Sequence, residues 1–500
     1  MTTPIAEDPA ALIAEGVAAL RRGQARDAES LFLQALRLDP HNPKALSNLG
    51  GVLRQRGAYR KAESAYRLAC RLAPSAVRLY NLAAAVRDQG RLREAEIILG
   101  ESLEIDPEYL PARALLGHWR IENWERGAPV ENLDSAIGEF TRALELDPGC
   151  PDRIATLAMA HQEAGHWPEA IQLWDHCCAL VPDSPEPYHR RGQCRLAQGD
   201  FAGWTDWSRQ HDRPEIARCR RMVTDRPLWD GCHAPEATLL LYNNHGAGDA
   251  IQFVRYAARA RERVGRLIVA CDPALTRLLR LVEGVDAVVD YNRPIPPHDT
   301  QCSLMALPGV LGATLDDIPP APYLRAPERL AEAWRERLEP ILAGAAVRAG
   351  VCWRGDPRHR LDRRRSFPPG MLARLADVPG VSLVSLQQGH SDALDPRVHT
   401  LGPEYAAGDW LDTAAVLDRL DLVIACDTGI AHLAGTLGCP IWIALAQPPD
   451  WRWFLDRDDS PWYPAVRLFR QRRPGDWEGV FDRMAAVLRS VVRSLVIGYL

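Results

Sequence analysis

Lysine is almost absent from this chain: Lys44 and Lys61 are the only two in 500 residues, and arginine carries nearly all the positive charge. Such a bias spans the whole sequence and marks composition, not a local device. A net charge of -5 and a pI near 6.3 exclude global attraction to nucleic acid or to an anionic membrane surface. The twelve cysteines include no C-x-x-C pair and form no regular framework, Cys177 and Cys178 being merely adjacent, which argues against a zinc ribbon and a disulfide scaffold. No apolar run reaches the roughly 18 residues a membrane helix needs, and the start M-T-T-P-I-A-E-D-P lacks a basic stretch followed by an apolar one. The expectation is a cytoplasmic protein without a transmembrane segment and without nucleic acid as partner.

Repetition fills the first two fifths. A-E-S-L-F-L-Q-A-L-R-L-D-P ends at Pro40 and A-E-S-A-Y-R-L-A-C-R-L-A-P at Pro74, so that Ala28 maps to Ala62, Phe32 to Tyr66 and Ala35 to Ala69, each 34 residues apart. This is the tetratricopeptide period. The frame continues through Ala95 and Pro107, then Ala136, Phe140, Ala143 and Pro148 after an insertion holding Trp119 and Trp124, then Ala170 and Pro182, with a degenerate sixth unit after it. Each unit predicts two helices whose small residues permit close approach, whose aromatic fills the gap and whose proline ends the second helix. Stacked units of this kind bury one continuous core and bind peptides or partner helices, with a plain spacer or a self-association surface as the alternative. Trp119 and Trp124 are expected to plug a helix pair.

After P-L-W-D-G (227–231) the periodicity changes. T-L-L-L-Y-N-N reads as a buried strand, H-G-A-G-D as a tight loop and A-I-Q-F-V-R-Y-A-A-R-A-R-E-R as one amphipathic helix, followed by strand, helix and strand. A charged helical stretch at about 326–346 separates this unit from a second, whose strands are R-A-G-V-C-W-R, V-S-L-V-S-L-Q, D-L-V-I-A-C-D and P-I-W-I-A-L-A. Alternation of this kind predicts parallel sheets, with ligands at the carboxyl ends of the strands. The fold class is therefore α + α/β: a repeat array over 10–215, one Rossmann-like half over 226–330, another over 345–475, and a closing helix over 476–496.

Three loops carry chemistry. In D-T-G-I-A-H, Asp427 can cap the helix that follows, Gly429 allows close backbone approach, and the helix start favours an anion such as a diphosphate, with His432 on the same face as Thr428. In H-G-A-G-D, Gly246 and Gly248 flank a turn and Asp249 is either an N-cap or a general base. In C-W-R-G-D-P-R-H-R-L-D-R-R-R-S, Arg354, Arg358, His359, Arg360, Arg363, Arg364 and Arg365 crowd one loop after a buried strand, which suits phosphate or a solvated face equally. Trp451, Trp453, Trp462 and Tyr463 near the last strand can stack on a base or anchor their loop, packing being the favoured reading. D-R-D at 456–458 sits in a polar loop and is not read as a metal site.

With these motifs assembled, the chain from about residue 227 onward resembles the heptosyltransferase-like proteins of glycosyltransferase family 9, here joined to a tetratricopeptide array. The resemblance rests on P-L-W-D-G, G-A-G-D-A-I-Q-F-V-R-Y, W-R-G-D-P-R-H-R-L-D-R-R-R-S, D-T-G-I-A-H-L-A-G-T-L-G-C-P-I-W and D-W-R-W-F-L-D-R-D-D-S-P-W-Y-P, in that order. It implies a GT-B module, metal-independent and inverting, with the acceptor on the first half and a nucleotide-sugar donor on the second. By that resemblance Asp249 is the catalytic base, and Asp427, Thr428, Gly429, Ala431, His432, Arg354, Arg365 and Ser366 surround the donor. His245, Gly246, Gly248 and Gln252 then contact the acceptor or shape its loop. No cofactor beyond the nucleotide sugar is implied. The implied acceptor is a protein selected by the array, flagellin or another surface protein for example, with a lipopolysaccharide-type glycan or a non-catalytic adaptor role as alternatives. Asn244, His245, Gln388 and Cys439 depart from residues common in that family.

Overall fold

A computed structural model describes residues 8–125, 131–212, 224–359, 361–388 and 394–498. The chain begins as helix pairs: α1 (Pro9–Arg21) with α2 (Ala25–Leu38), α3 (Pro43–Gln55) with α4 (Tyr59–Leu72), α5 (Ala76–Arg87) with α6 (Leu92–Ile105), and α7 (Leu110–Glu125) with α8 (Glu131–Leu146). Two further pairs follow, α9 (Pro151–Ala164) with α10 (Trp167–Leu180) and α11 (Pro185–Ala197) with α12 (Gly203–Ser208). The second helix of each of the first five pairs ends two residues before the expected proline, at Leu38, Leu72, Ile105, Leu146 and Leu180. Proline at the next position but one cannot continue the hydrogen-bond ladder.

Within a pair the aromatic meets a glycine. A Cβ on Gly16 would lie 2.5 Å from the Phe32 ring, one on Gly50 2.9 Å from Tyr66, and one on Gly117 2.5 Å from Phe140. The glycines are sockets for the rings, and Phe32, Tyr66 and Phe140 are accordingly buried. Trp119 packs into the core shared by α5, α6 and α7 beneath the Arg87 guanidinium, and Trp124 is buried too.

Residues 1–124 and 128–160 form one compact unit, and residues 125–127 with 161–500 form another. The second unit contains two parallel sheets, consistent with two Rossmann-like domains. Strands β1 (Ala234–Tyr242), β2 (Val264–Cys271), β3 (Ala287–Asp290) and β4 (Thr300–Ser303) make a sheet of order β3-β2-β1-β4. Strands β5 (Val347–Cys352), β6 (Val381–Ser385), β7 (Val398–His399), β8 (Leu422–Cys426), β9 (Ile441–Leu445) and β10 (Val466–Arg470) make the other, in the order β10-β9-β8-β5-β6-β7. Chain order reverses between β1 and β4 in the first sheet and between β5 and β8 in the second. A crevice opens at such a switch point because the connections leave to opposite sides.

The closing helix, Trp477–Gly498, seals the six-stranded sheet by burying Val480, Phe481, Met484 and Leu488 against it. Burial of side chains this size contributes about 1.5–3 kcal/mol each. The long amphipathic helix expected after H-G-A-G-D is instead broken: helix Ala247–Phe253 gives way to a 3-10 turn at Val254–Tyr256 and a short helix at Ala257–Arg261. At the break, buried Arg255 donates to the Gln252 carbonyl at 3.0 Å and to the Trp462 carbonyl at 2.8 Å. Of these two acceptors, the Gln252 carbonyl is one that a continuous helix would use for its own ladder.

Helices α10 to α12 belong to the second unit, and aromatic contacts hold them there. The Phe201 ring stacks on Trp462 at 5.8 Å, while Trp204 meets Phe253 at 5.7 Å and Trp451 at 5.4 Å, both edge-to-face. Trp451, Trp453, Trp462 and Tyr463 are all buried, which is the packing role. Among the described residues no helix is long and apolar enough to cross a membrane.

Candidate active site

The loops after β1, β4, β5 and β8 open onto one cleft of about 1240 Å³, inside the second compact unit. Asp249, His245, Gly246, Gly248, Arg354, Arg365, Asp427, Thr428, Gly429 and His432 all line it. Glycine sets how closely the two halves meet here. A Cβ on Gly248 would fall 2.9 Å from His432 Cδ2 and 3.2 Å from the Gly429 Cα. Helix Ala247–Phe253 therefore packs directly on helix Gly429–Leu437. Gly429 in turn accommodates the Trp410 ring, which a Cβ would meet at 2.6 Å.

Asp249 lies in the first turn of its helix, since Gly246 and not Asp249 is the N-cap. Its Oδ2 accepts the Gly246 amide at 2.9 Å. Its Oδ1 accepts Arg452 Nη2 at 2.5 Å, and the same guanidinium gives Nη1 to Asp450 Oδ1 at 2.8 Å. Burial alone would raise the Asp249 carboxyl; the charge of Arg452, helped by His245, His432 and the Gly246 amide, outweighs it and holds the group below the usual range. In the sequence no cation adjoins Asp249. The structure supplies one from 203 residues away.

At the second loop Thr428, not Asp427, is the N-cap, and it reaches the helix in an extended conformation without a side-chain cap bond. Asp427 is thus not the cap expected for it. Its carboxylate faces the cleft, where burial and the neighbouring charge of Asp450 push it up to about 6, against the pull of Arg365. His432 is buried, its ring stacked on Trp453 at 5.3 Å, with Nδ1 3.0 Å from the Tyr463 hydroxyl and Nε2 4.0 Å from Asp427 Oδ1. Burial and then the nearby Arg452 push its imidazole down to about 3. A neutral His432 offers an anion a hydrogen bond and no charge. The Ala431 amide turns back to the Thr428 carbonyl at 3.0 Å, which leaves the amides of Gly429 and Ile430, both in the cleft lining, as the unpaired donors of a helix start that favours an anion.

The arginine loop divides. Arg354 and Arg365 hold buried Asp362 from two sides, at 3.5 and 3.3 Å, and face the cleft. Arg364 and Arg358 also line the cleft, but Arg364 is paired with Glu163 of α9, and the Arg358 side chain is 89% exposed and paired with Asp356. Arg363 is exposed. Arg360 lies outside the described residues. Three expected contacts sit apart from the cleft wall: Ala431 and Gln252 are fully buried, and Ser366 accepts the Gly355 amide at 3.4 Å. The departures have local roles. Asn244 accepts the Ser303 hydroxyl at 2.8 Å, Gln388 donates to the Tyr405 carbonyl at 3.2 Å, and the Cys439 thiol reaches the Leu417 carbonyl at 3.6 Å. Buried His245 Nε2 has no hydrogen-bond partner among the described residues.

Sequence reasoning missed Asp450 and Arg452, and also the residues of α9 to α12 and of the turn after α12 that wall the cleft, among them Gln162, Gln193, His189 and Gln210. The D-W-R run beside the tryptophans was the available signal: an acid and an arginine in the loop that follows the buried strand β9, which ends at Leu445.

Two tetratricopeptide-repeat profiles match the chain, at residues 13–77 and 75–105. The N-terminal helices form a tetratricopeptide-repeat array. Over 453 residues the chain is 27% identical to Protein FlbA of Caulobacter vibrioides, covering 83% of this chain and 73% of that protein. It is 30% identical over 240 residues to Cellulose synthase operon protein C of Xanthomonas axonopodis pv. citri, covering 47% of this chain but only 15% of that protein. A solved structure of PilF from Pseudomonas aeruginosa shares 19% identity, with coverage of 43% and 96% and a TM-score of 0.36.

Proposed function

We propose that the chain is a metal-independent GT-B glycosyltransferase that moves a sugar from a nucleotide-sugar donor to a protein acceptor chosen by the repeat array. The observation that carries this reading is the single cleft in which loops from both sheets' switch points place an ionised carboxylate, Asp249, opposite a helix N-terminus flanked by Arg365. In this reading the half at 226–330 holds the acceptor and the half at 345–475 holds the donor. Asp249 takes the acceptor proton, and the donor's diphosphate meets the helix amides after Thr428, the neutral His432 and Arg365. The wall supplied by α9 to α12 supports a polypeptide acceptor over a glycan, because the array's last helices then lead into the chemistry.

Purified full-length chain offered a panel of nucleotide sugars tests this. Transfer or slow donor hydrolysis is expected, and Asp249→Asn should lower the rate about 10²- to 10⁴-fold. No turnover of any donor by the unaltered chain would sink the enzyme reading and favour an adaptor.

A further inference from the structure

Asp249 has a difficulty as a base that geometry makes plain. Both of its oxygens are engaged, Oδ2 by the Gly246 amide and Oδ1 by Arg452. The first is an amide of Asp249's own helix start, whereas the second comes from a side chain that also lines the cleft. Arg452 itself is held by two carboxylates, Asp249 and Asp450, lies over the Trp451 ring at 4.3 Å, and keeps a buried Nε without a hydrogen-bond partner among the described residues. A planar guanidinium prefers paired oxygens of one anion, and a diphosphate offers them with more charge than a single carboxylate.

We propose that Arg452 is an exchangeable counter-ion: it masks Asp249 in the empty cleft and passes to the donor's diphosphate when that binds, freeing Asp249 Oδ1. This deepens the glycosyl-transfer reading and rests on it. In the step that follows, the acceptor hydroxyl gives its proton to the freed Oδ1 while its oxygen bonds to the anomeric carbon. The bond from that carbon to the diphosphate oxygen breaks, and the electron pair departs on the nucleoside diphosphate, whose charge Arg452 now meets. Donor binding thereby switches on the base, and the empty enzyme does not activate an acceptor. Arg452 is thus a donor-binding group that also controls Asp249, and the array-side wall of the cleft plays no part in it.

Titration calorimetry of the full chain with inorganic pyrophosphate tests the exchange without any sugar. Because Asp249 competes with the anion, Asp249→Asn should bind pyrophosphate about tenfold or more tightly than the unaltered protein, and Arg452→Gln about tenfold or more weakly. Asp450→Asn, which removes the other competitor, should also tighten binding and serves if Asp249→Asn does not fold. A carboxylate that serves only to position Arg452 would give the opposite sign; equal or weaker binding by a folded Asp249→Asn, or by Asp450→Asn where Asp249→Asn does not fold, overturns the proposal, as does a lack of pyrophosphate binding by the unaltered chain. The pattern without sugar transfer would refute the glycosyltransferase reading alone; transfer without the pattern would refute the exchange alone.

Discussion

At the scale of single residues, the cleft is a place where buried charges are balanced against one another. Asp249 and Asp427 are both aspartates at strand-to-helix loops, yet Arg452 pulls the first down while burial and Asp450 push the second up to about 6. For Asp427 the consequence for stability has a definite sign. Its folded value exceeds its ordinary value of 3.8, so the native state binds more protons between about pH 4 and 6, and stability falls as pH rises through that window. Asp427→Asn removes this penalty. The variant should be more stable than the unaltered chain at pH 7, by about 1–3 kcal/mol, with the gap closing toward pH 4 in denaturant titrations. Sequence could show an aspartate next to Thr428-Gly429 and could not show that another acid, 23 positions on, shares its space.

Among elements, the repeat pairs illustrate how a weak local preference becomes a specific fit. Small, aromatic and proline positions were legible because they recur at a fixed spacing. The glycine sockets recur as well, Gly16 and Gly50 being 34 apart, but their purpose appears only when Phe32 and Tyr66 are seen to fill them. Gly117→Ala would press a methyl group onto Phe140 and should destabilise the chain by about 1–3 kcal/mol. Combined with Phe140→Leu, the two changes should cost less than their sum, which a double-mutant cycle by thermal or chemical unfolding measures. The broken helix after Gly246 is the opposite case: A-I-Q-F-V-R-Y-A-A-R has a continuous apolar stripe, yet the helix gives way at Val254–Tyr256, where Arg255 reaches a carbonyl 207 residues away.

On the scale of the molecule, the repeats do not end where the composition changes. Helices α10 to α12 carry repeat-like sequence but are packed by Phe201 and Trp204 onto Phe253, Trp451 and Trp462. Removing residues 1–148 takes away none of these contacting aromatics. Such a truncation should keep donor affinity and lose about a hundredfold or more in kcat/KM toward a protein acceptor, if the array supplies a second point of attachment. Equal kcat/KM for both forms would remove the array as selector. The sequence by itself determined the periodic features: the helix pairs and their ends, the alternation of strands and helices, and the three loops that close on the cleft, all of which depend on neighbours within a few residues. Tertiary structure alone decided which charges meet, because Arg452 reaches Asp249 across 203 positions, and which oxygens are occupied, because contacts at that separation leave no trace in local spacing. It also decided that both strand-order reversals face one cleft, since strand order is a property of the sheet and not of the chain.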